Sequence, residues 1–195
     1  MSAPDRRIAG LVLAAGAGRR FGAPKQLAPL EGRPLLEHAL ATMAEVPGLA
    51  RVVVALGAHA DAIRARVDLH GAEPLVVPDW AEGQAASLRA GVAALAGEAD
   101  AVLVTLGDQP RLGAATIARV LGAWDGAAPA VRASYDGRPG HPVLLARALF
   151  GAVAELRGDA GARALLARPD VIEVPCDAAA VLDVDTPEQL AALEP

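Results

Sequence analysis

Ala101-Val102-Leu103-Val104-Thr105-Leu106 carries apolar or β-branched side chains at odd and even positions alike. A strand with this pattern has no face to give to water, which is the mark of a central parallel strand between two helix layers. Working outward, short apolar runs alternate with longer stretches in which alanine, leucine and arginine recur at helical spacing. The pattern predicts strands near 8–14, 51–56, 74–77, 101–106, 129–134, 142–145 and 171–174. It predicts helices near 34–45, 59–67, 84–96, 113–122, 146–155, 160–167 and 187–193. Pro34 and Pro187 fall in first helical turns, where a missing amide costs little, and Thr186 is a cap for the last helix. The expectation is a three-layer α/β fold with a mostly parallel central sheet, formed by residues 1–195 as a single domain, since no repeat, low-complexity tail or long linker divides them.

Composition excludes several classes. Hydrophobic residues make up 53% and charged residues 21%, which argues against disorder, and no apolar run approaches the roughly 20 residues of a membrane span. A net charge of −5 argues against nonspecific nucleic-acid binding, so any polyanion must be met locally. The one cysteine, Cys176, excludes an internal disulfide and any CxxC motif. Arg6-Arg7 before Ile8-Ala9-Gly10-Leu11-Val12-Leu13-Ala14-Ala15 imitates a secretory signal, but cleavage there would delete the first strand. A cytoplasmic protein is expected.

That first strand runs into Leu13-Ala14-Ala15-Gly16-Ala17-Gly18-Arg19-Arg20-Phe21-Gly22-Ala23-Pro24-Lys25, which holds the only lysine of the chain. Every other cationic side chain, histidine aside, is an arginine, so a position that keeps a compact ammonium is a candidate site residue. The loop is not a dinucleotide fingerprint: Phe21 replaces the third glycine, Pro24 blocks an immediate helix, and Leu56-Gly57-Ala58-His59 stands where a ribose-binding acid is required. Nor is it a Walker A loop, which needs Gly-Lys followed by Ser or Thr. What remains is a glycine-rich loop whose main-chain amides and cations are available to a triphosphate, although an ordinary glycine turn with solvated arginines fits the same letters. It emerges, with Gly107-Asp108-Gln109-Pro110, at the carboxyl ends of parallel strands, where open α/β sheets bind ligands.

Leu13-Ala14-Ala15-Gly16 through Lys25 resembles the signature of nucleotidyltransferases. Together with Gly107-Asp108-Gln109-Pro110, Gly140-His141-Pro142, Gly158-Asp159-Ala160-Gly161-Ala162-Arg163 and Asp183-Val184-Asp185-Thr186-Pro187, it is most similar to the molybdenum cofactor cytidylyltransferases. The resemblance implies a Rossmann-like nucleotidyltransferase fold and a magnesium-dependent transfer of CMP from CTP to molybdopterin, with release of pyrophosphate. Ala17, Phe21 and Gln189 depart from the commoner serine, methionine and acid.

The resemblance places Asp108 as the principal Mg2+ ligand, with Asp185 as the second carboxylate and Asp183 its competitor; alternation along a strand would put both on one face, opposite Val184. Lys25 and Arg19 are expected at the triphosphate, and Arg20 in solvent. The nucleotide site is expected to comprise Leu13, Ala14, Ala15, Gly16, Gly18, Arg19, Lys25, Gln84, Ser87 and Asp108, with Ala14 and Ala15 facing cytosine. Capping explains Ser87 equally well. His141, Asp159 and Arg163 are assigned to the acceptor, although a turn histidine and a helix-capping aspartate fit the same letters. His38, His59 and His70 lack metal-ligand spacing and read as surface or helix residues. A client molybdoenzyme or its chaperone is the implied protein partner, with neither nucleic acid nor membrane. Two alternatives stay open: a reductase using NAD(P)H, since the same sequence group includes a nicotine-catabolic reductase, and a noncatalytic chaperone of the molybdenum cofactor.

Overall fold

The computed structural model describes residues 6–177 and 183–194. Strand β1 (Ile8–Ala14) leads through the glycine loop to a small hairpin of β2 (Pro29–Leu30) and β3 (Arg33–Pro34), then helix α1 (Leu35–Ala44). There follow β4 (Leu49–Leu56), α2 (Ala60–Arg66), β5 (Glu73–Val76), α3 (Gln84–Leu95), β6 (Ala101–Leu106) and α4 (Ala114–Gly122). The second half holds β7 (Ala130–Tyr135), β8 (Arg138–Ala146), α5 (Phe150–Ala154), β9 (Ile172–Cys176) and α6 (Pro187–Ala191). Seven strands form one sheet in the order β5-β4-β1-β6-β8-β7-β9, in which β8 alone runs against the rest. The fold is thus α/β with a mostly parallel sheet.

Period-two alternation divides the sheet between two cores. Val12, Ala14, Val54, Leu56 and Leu103 pack with α1 and α4 through Leu36, Leu40, Ile117 and Val120. Leu11, Leu13, Val53, Ala55, Val102 and Val104 pack on the other face with α3 and α5 through Leu88, Val92, Leu95 and Val153. The strand apolar on both faces is β6, which lies between β1, parallel to it, and β8, antiparallel to it, and buries Leu103 in one core and Val102 and Val104 in the other. The chain leaves β1 toward β4 on one side while β6 lies on the other, so strand order reverses between β1 and β6. The crevice beyond their carboxyl ends is therefore the place for a ligand.

Two expectations need correction. The reading of β8 as beginning at residue 142 overlooked Asp136-Gly137, whose φ values of 50° and 76° make the two-residue turn of a β7–β8 hairpin pairing Tyr135 with Arg138. His141 accordingly lies within a strand and not in a turn. The ladder jumps from Ala133–Gly140 to Arg132–Val143, leaving His141 and Pro142 bulged out of register. The helix expected over 160–167 is replaced by a 3-10 turn at Gly158–Ala160 and further turns, because Gly161 takes φ 52°, ψ −150°, outside any right-handed helix.

Candidate functional site

The loop after β1 is shaped by its own backbone. Gly18 has φ 65°, and a Cβ there would lie 2.3 Å from the Ala23 carbonyl oxygen, so only glycine closes the turn in which Phe21 and Gly22 donate to the Gly18 carbonyl. Gln26, 4% exposed, donates both amide hydrogens, to the Ala14 carbonyl at 2.9 Å and the Gly16 carbonyl at 2.7 Å. It pins the loop to the end of β1. Sequence reasoning missed Gln26, although its place beside the solitary lysine was a signal.

Lys25 opens the short 3-10 turn Lys25–Leu27. Its ammonium donates to Asp108 Oδ2 at 2.6 Å, Asp185 Oδ1 at 2.9 Å and the Val184 carbonyl at 3.1 Å. Asp108 follows β6, whose next amide, Gly107, donates to the Leu13 carbonyl, so the two loops of the crevice lie side by side. Val184 donates its amide to the Asp108 carbonyl and buries its side chain with Leu30, Leu35 and Leu190. The alternation expected for residues 183–185 holds without a strand there, and its outcome is asymmetric. Asp185 meets Lys25, whereas Asp183 accepts from Gln109 Nε2 at 2.7 Å. Gln189 accepts from the amides of Asp185 (2.7 Å) and Thr186 (3.0 Å) and completes a capping box at α6. A glutamine where an acid is common therefore serves the same backbone. Arg20, expected in solvent, is 77% exposed yet pairs with Asp185 Oδ2 at 3.0 Å.

Burial disfavours the Lys25 charge, but Asp108 and Asp185 outweigh it and hold the ammonium above its ordinary 10.5. Burial raises Asp108, with Lys25 opposing and Asp183 and Asp185 adding to the rise. The Lys25 hydrogen bond, against burial, lowers Asp185. Asp108 Oδ1 is buried with no hydrogen-bond partner. A poorly solvated carboxylate with an unspent oxygen beside a second carboxylate suits a hard divalent cation. Among the described residues no group of three or more His, Cys, Asp or Glu side chains is arranged to hold a metal ion, so the protein's own share here is the two carboxylates Asp108 and Asp185. Two carboxylates with phosphate oxygens and water are the donor set magnesium accepts.

A cleft of about 370 Å³ opens over this cluster. Leu13, Ala14, Ala15, Gly16, Arg19 and Lys25 line it from the first loop, Asp108 from the second, and Gln84 and Ser87 from α3. Gly18, expected at the nucleotide site, does not line the cleft. Ser87 is buried inside α3, whose N-cap is Gly83, so it caps nothing. Asp159, assigned to the acceptor, lines this first cleft. A second cleft of about 460 Å³ adjoins it, floored by Leu88, Val104, Val143 and Leu145 and bordered by His141, Arg132, Arg138 and Arg163. Burial pushes the His141 imidazole down to about 4 against the pull of Asp183. Tyr135 donates its hydroxyl to the His141 carbonyl at 2.6 Å and steadies the bulge. Of the other histidines, His38 is buried in α1 and bonded to the Leu30 carbonyl at 2.9 Å, so it is a core residue and not a surface one.

A mostly parallel sheet with a glycine loop, a lysine and paired carboxylates at its switch point defines a nucleotidyltransferase. The chain belongs to the family described as the MobA-like NTP transferase domain, whose model matches residues 10–187. It is 41% identical over 197 residues to the nicotine blue oxidoreductase of Paenarthrobacter nicotinovorans, covering 95% of this chain and 96% of that one. Rv0371c from Mycobacterium tuberculosis H37Rv superposes with a TM-score of 0.87 at 36% identity over 99% of this chain and 98% of that one. A complex of Rv0371c with manganese gives 0.82 at 33%, covering 96% and 97%. The 2-C-methyl-D-erythritol 4-phosphate cytidylyltransferase of Ralstonia nicotianae is 38% identical over 63% of this chain, which spans about half (52%) of that enzyme. Among the described residues no helix is long and apolar enough to cross a membrane.

Proposed function

We propose that this nucleotidyltransferase carries CMP from CTP to the phosphate of molybdopterin or a close analogue, releasing pyrophosphate. The observation that carries the reading is the Lys25 ammonium, which lines the first cleft with Asp108 and is shared between Asp108 and Asp185. Magnesium, held by Asp108 and Asp185, would neutralise the triphosphate and polarise its α-phosphoryl group. Lys25 and Arg19 bind and orient the departing phosphates, and the backbone of Ala14 and Ala15 faces the base. The acceptor phosphate is already nucleophilic near neutral pH, so the protein positions and neutralises without a covalent intermediate. His141, neutral at pH 7, and Arg163 orient the acceptor in the second cleft. The manganese complex of a 33% identical relative supports a divalent cation, and the cytidylyltransferase relative supports cytosine.

The test mixes the protein with magnesium, molybdopterin and each nucleoside triphosphate in turn and follows pyrophosphate. Release with CTP is expected; no release with any triphosphate refutes the reading. The 41% identical oxidoreductase favours a second reading, reduction by a nicotinamide cofactor. Consumption of NADH or NADPH without any nucleoside triphosphate would establish it.

A further inference from the structure

We infer that Gln84 is a specificity contact shared by both substrates, an inference that rests on the transfer reading above. Two side chains line both clefts, Leu13 and Gln84. Leu13 belongs to the hydrophobic core, so among the described residues Gln84 is the single polar side chain common to the two. In the transfer an oxygen of the acceptor phosphate bonds to the α-phosphorus, while the bond from that phosphorus to the α,β-bridging oxygen breaks and pyrophosphate leaves with the electron pair. With the nucleotide in one cleft and the acceptor in the other, this exchange takes place where the clefts join, and two anionic groups must come together there.

The fold holds Gln84 at that junction by close approach. Gln84 is the first residue of α3, after Gly83 at φ 117°. A Cβ on Gly83 would lie 2.2 Å from Asp159 Oδ1 and 2.7 Å from the Gly158 carbonyl carbon; a Cβ on Gly161 would lie 2.6 Å from Gln84 Oε1. The 158–161 segment thus rests on the start of α3 and bears on the Gln84 carboxamide. A neutral amide at this point donates to phosphate oxygens without the repulsion a carboxylate would add. The second cleft is equipped for an anion with an apolar body. The Arg132 guanidinium is committed to Glu173, whereas the side chains of Arg138 and Arg163 make no hydrogen bond or ion pair with the described residues, and the cleft's floor is aliphatic.

The experiment measures by calorimetry, at equal magnesium, the affinity of α,β-methylene nucleoside triphosphates and of phenyl phosphate, a ring-bearing phosphomonoester. Wild type, Gln84→Glu and Ala65→Glu are compared; Ala65 is exposed on α2 and lines neither cleft, so its variant carries the same added charge elsewhere. Gln84→Glu keeps the side-chain shape and is expected to fold with an unchanged thermal midpoint. It should weaken both the nucleotide analogue and phenyl phosphate on the order of ten-fold, while Ala65→Glu leaves both as in wild type. Weakening of only one ligand, equal weakening by Ala65→Glu, or failure of wild type to bind phenyl phosphate overturns the role of Gln84 and leaves nucleotide transfer standing. Failure of wild type to bind any of the triphosphate analogues refutes nucleotide transfer itself.

Discussion

Replacing Lys25 by methionine keeps the length of the side chain and removes the charge that joins the two loops of the crevice. In the wild-type protein that ammonium reaches Asp108 at 2.6 Å, Asp185 at 2.9 Å and the Val184 carbonyl at 3.1 Å, with side-chain exposures of 14%, 22% and 28% for Lys25, Asp108 and Asp185. Breaking a fully buried ion pair by removing one partner costs about 3–5 kcal/mol. Partial exposure reduces this, and Asp185 keeps Arg20 at 3.0 Å, so the expected loss is about 2–3 kcal/mol. For a chain of this size each kcal/mol moves the midpoint by about 2–4 °C, which predicts a fall of roughly 4–12 °C in thermal unfolding at pH 7–8. The raised Lys25 value fixes the window. Its contribution is complete below the ordinary 10.5 and is lost as pH rises through the folded value, so the difference between wild type and variant shrinks on the alkaline side. Manganese or magnesium should raise the midpoint of Lys25→Met more than that of wild type, because the cation relieves carboxylates the ammonium no longer serves. An unchanged midpoint, or equal metal shifts in both proteins, would refute this account of the cluster.

Asp108→Asn should fold, lose the metal-induced thermal shift and lower turnover by about a thousand-fold, as read by pyrophosphate release, because a neutral amide neither holds the cation nor balances it. Gln26→Ala leaves the Ala14 and Gly16 carbonyls without their buried donor; a loss of about 1–3 kcal/mol in urea unfolding is expected, with weaker nucleotide binding. His141, held near 4 in the folded protein against an ordinary 6.5, makes the unfolded chain the better proton binder between those values. Wild type should therefore lose roughly 2–3 kcal/mol as pH falls from 6.5 toward 4, and His141→Gln should flatten that limb of the stability curve.

Much of the frame was legible from local chemistry. Strands β1 and β6 announced themselves through apolar runs too short for helices and too apolar for a half-exposed sheet. Thr186 and Pro187 marked the start of α6 because a cap and a proline satisfy the same helix end. Other features depended on partners far along the chain. Asp136-Gly137 is a hairpin signal, yet the neighbouring prolines and glycine masked the strand that follows it. The 160–167 stretch has helical composition, and its conformation was decided by Gly161 lying against Gln84 on another element.

The sequence by itself determined the α/β alternation, the glycine loop and the candidacy of Lys25, because each follows from side-chain size, backbone freedom or charge at neighbouring positions, while Asp108 and Asp185 were candidates through the resemblance of their motifs to those of nucleotidyltransferases. Only the tertiary structure decided that Lys25 bonds to Asp185, 160 residues away, that Gln109 takes Asp183, and that Gln84 stands where two clefts meet. Those choices are made by sheet order and by which buried oxygens remain to be satisfied, and neither is a property of any local stretch of sequence.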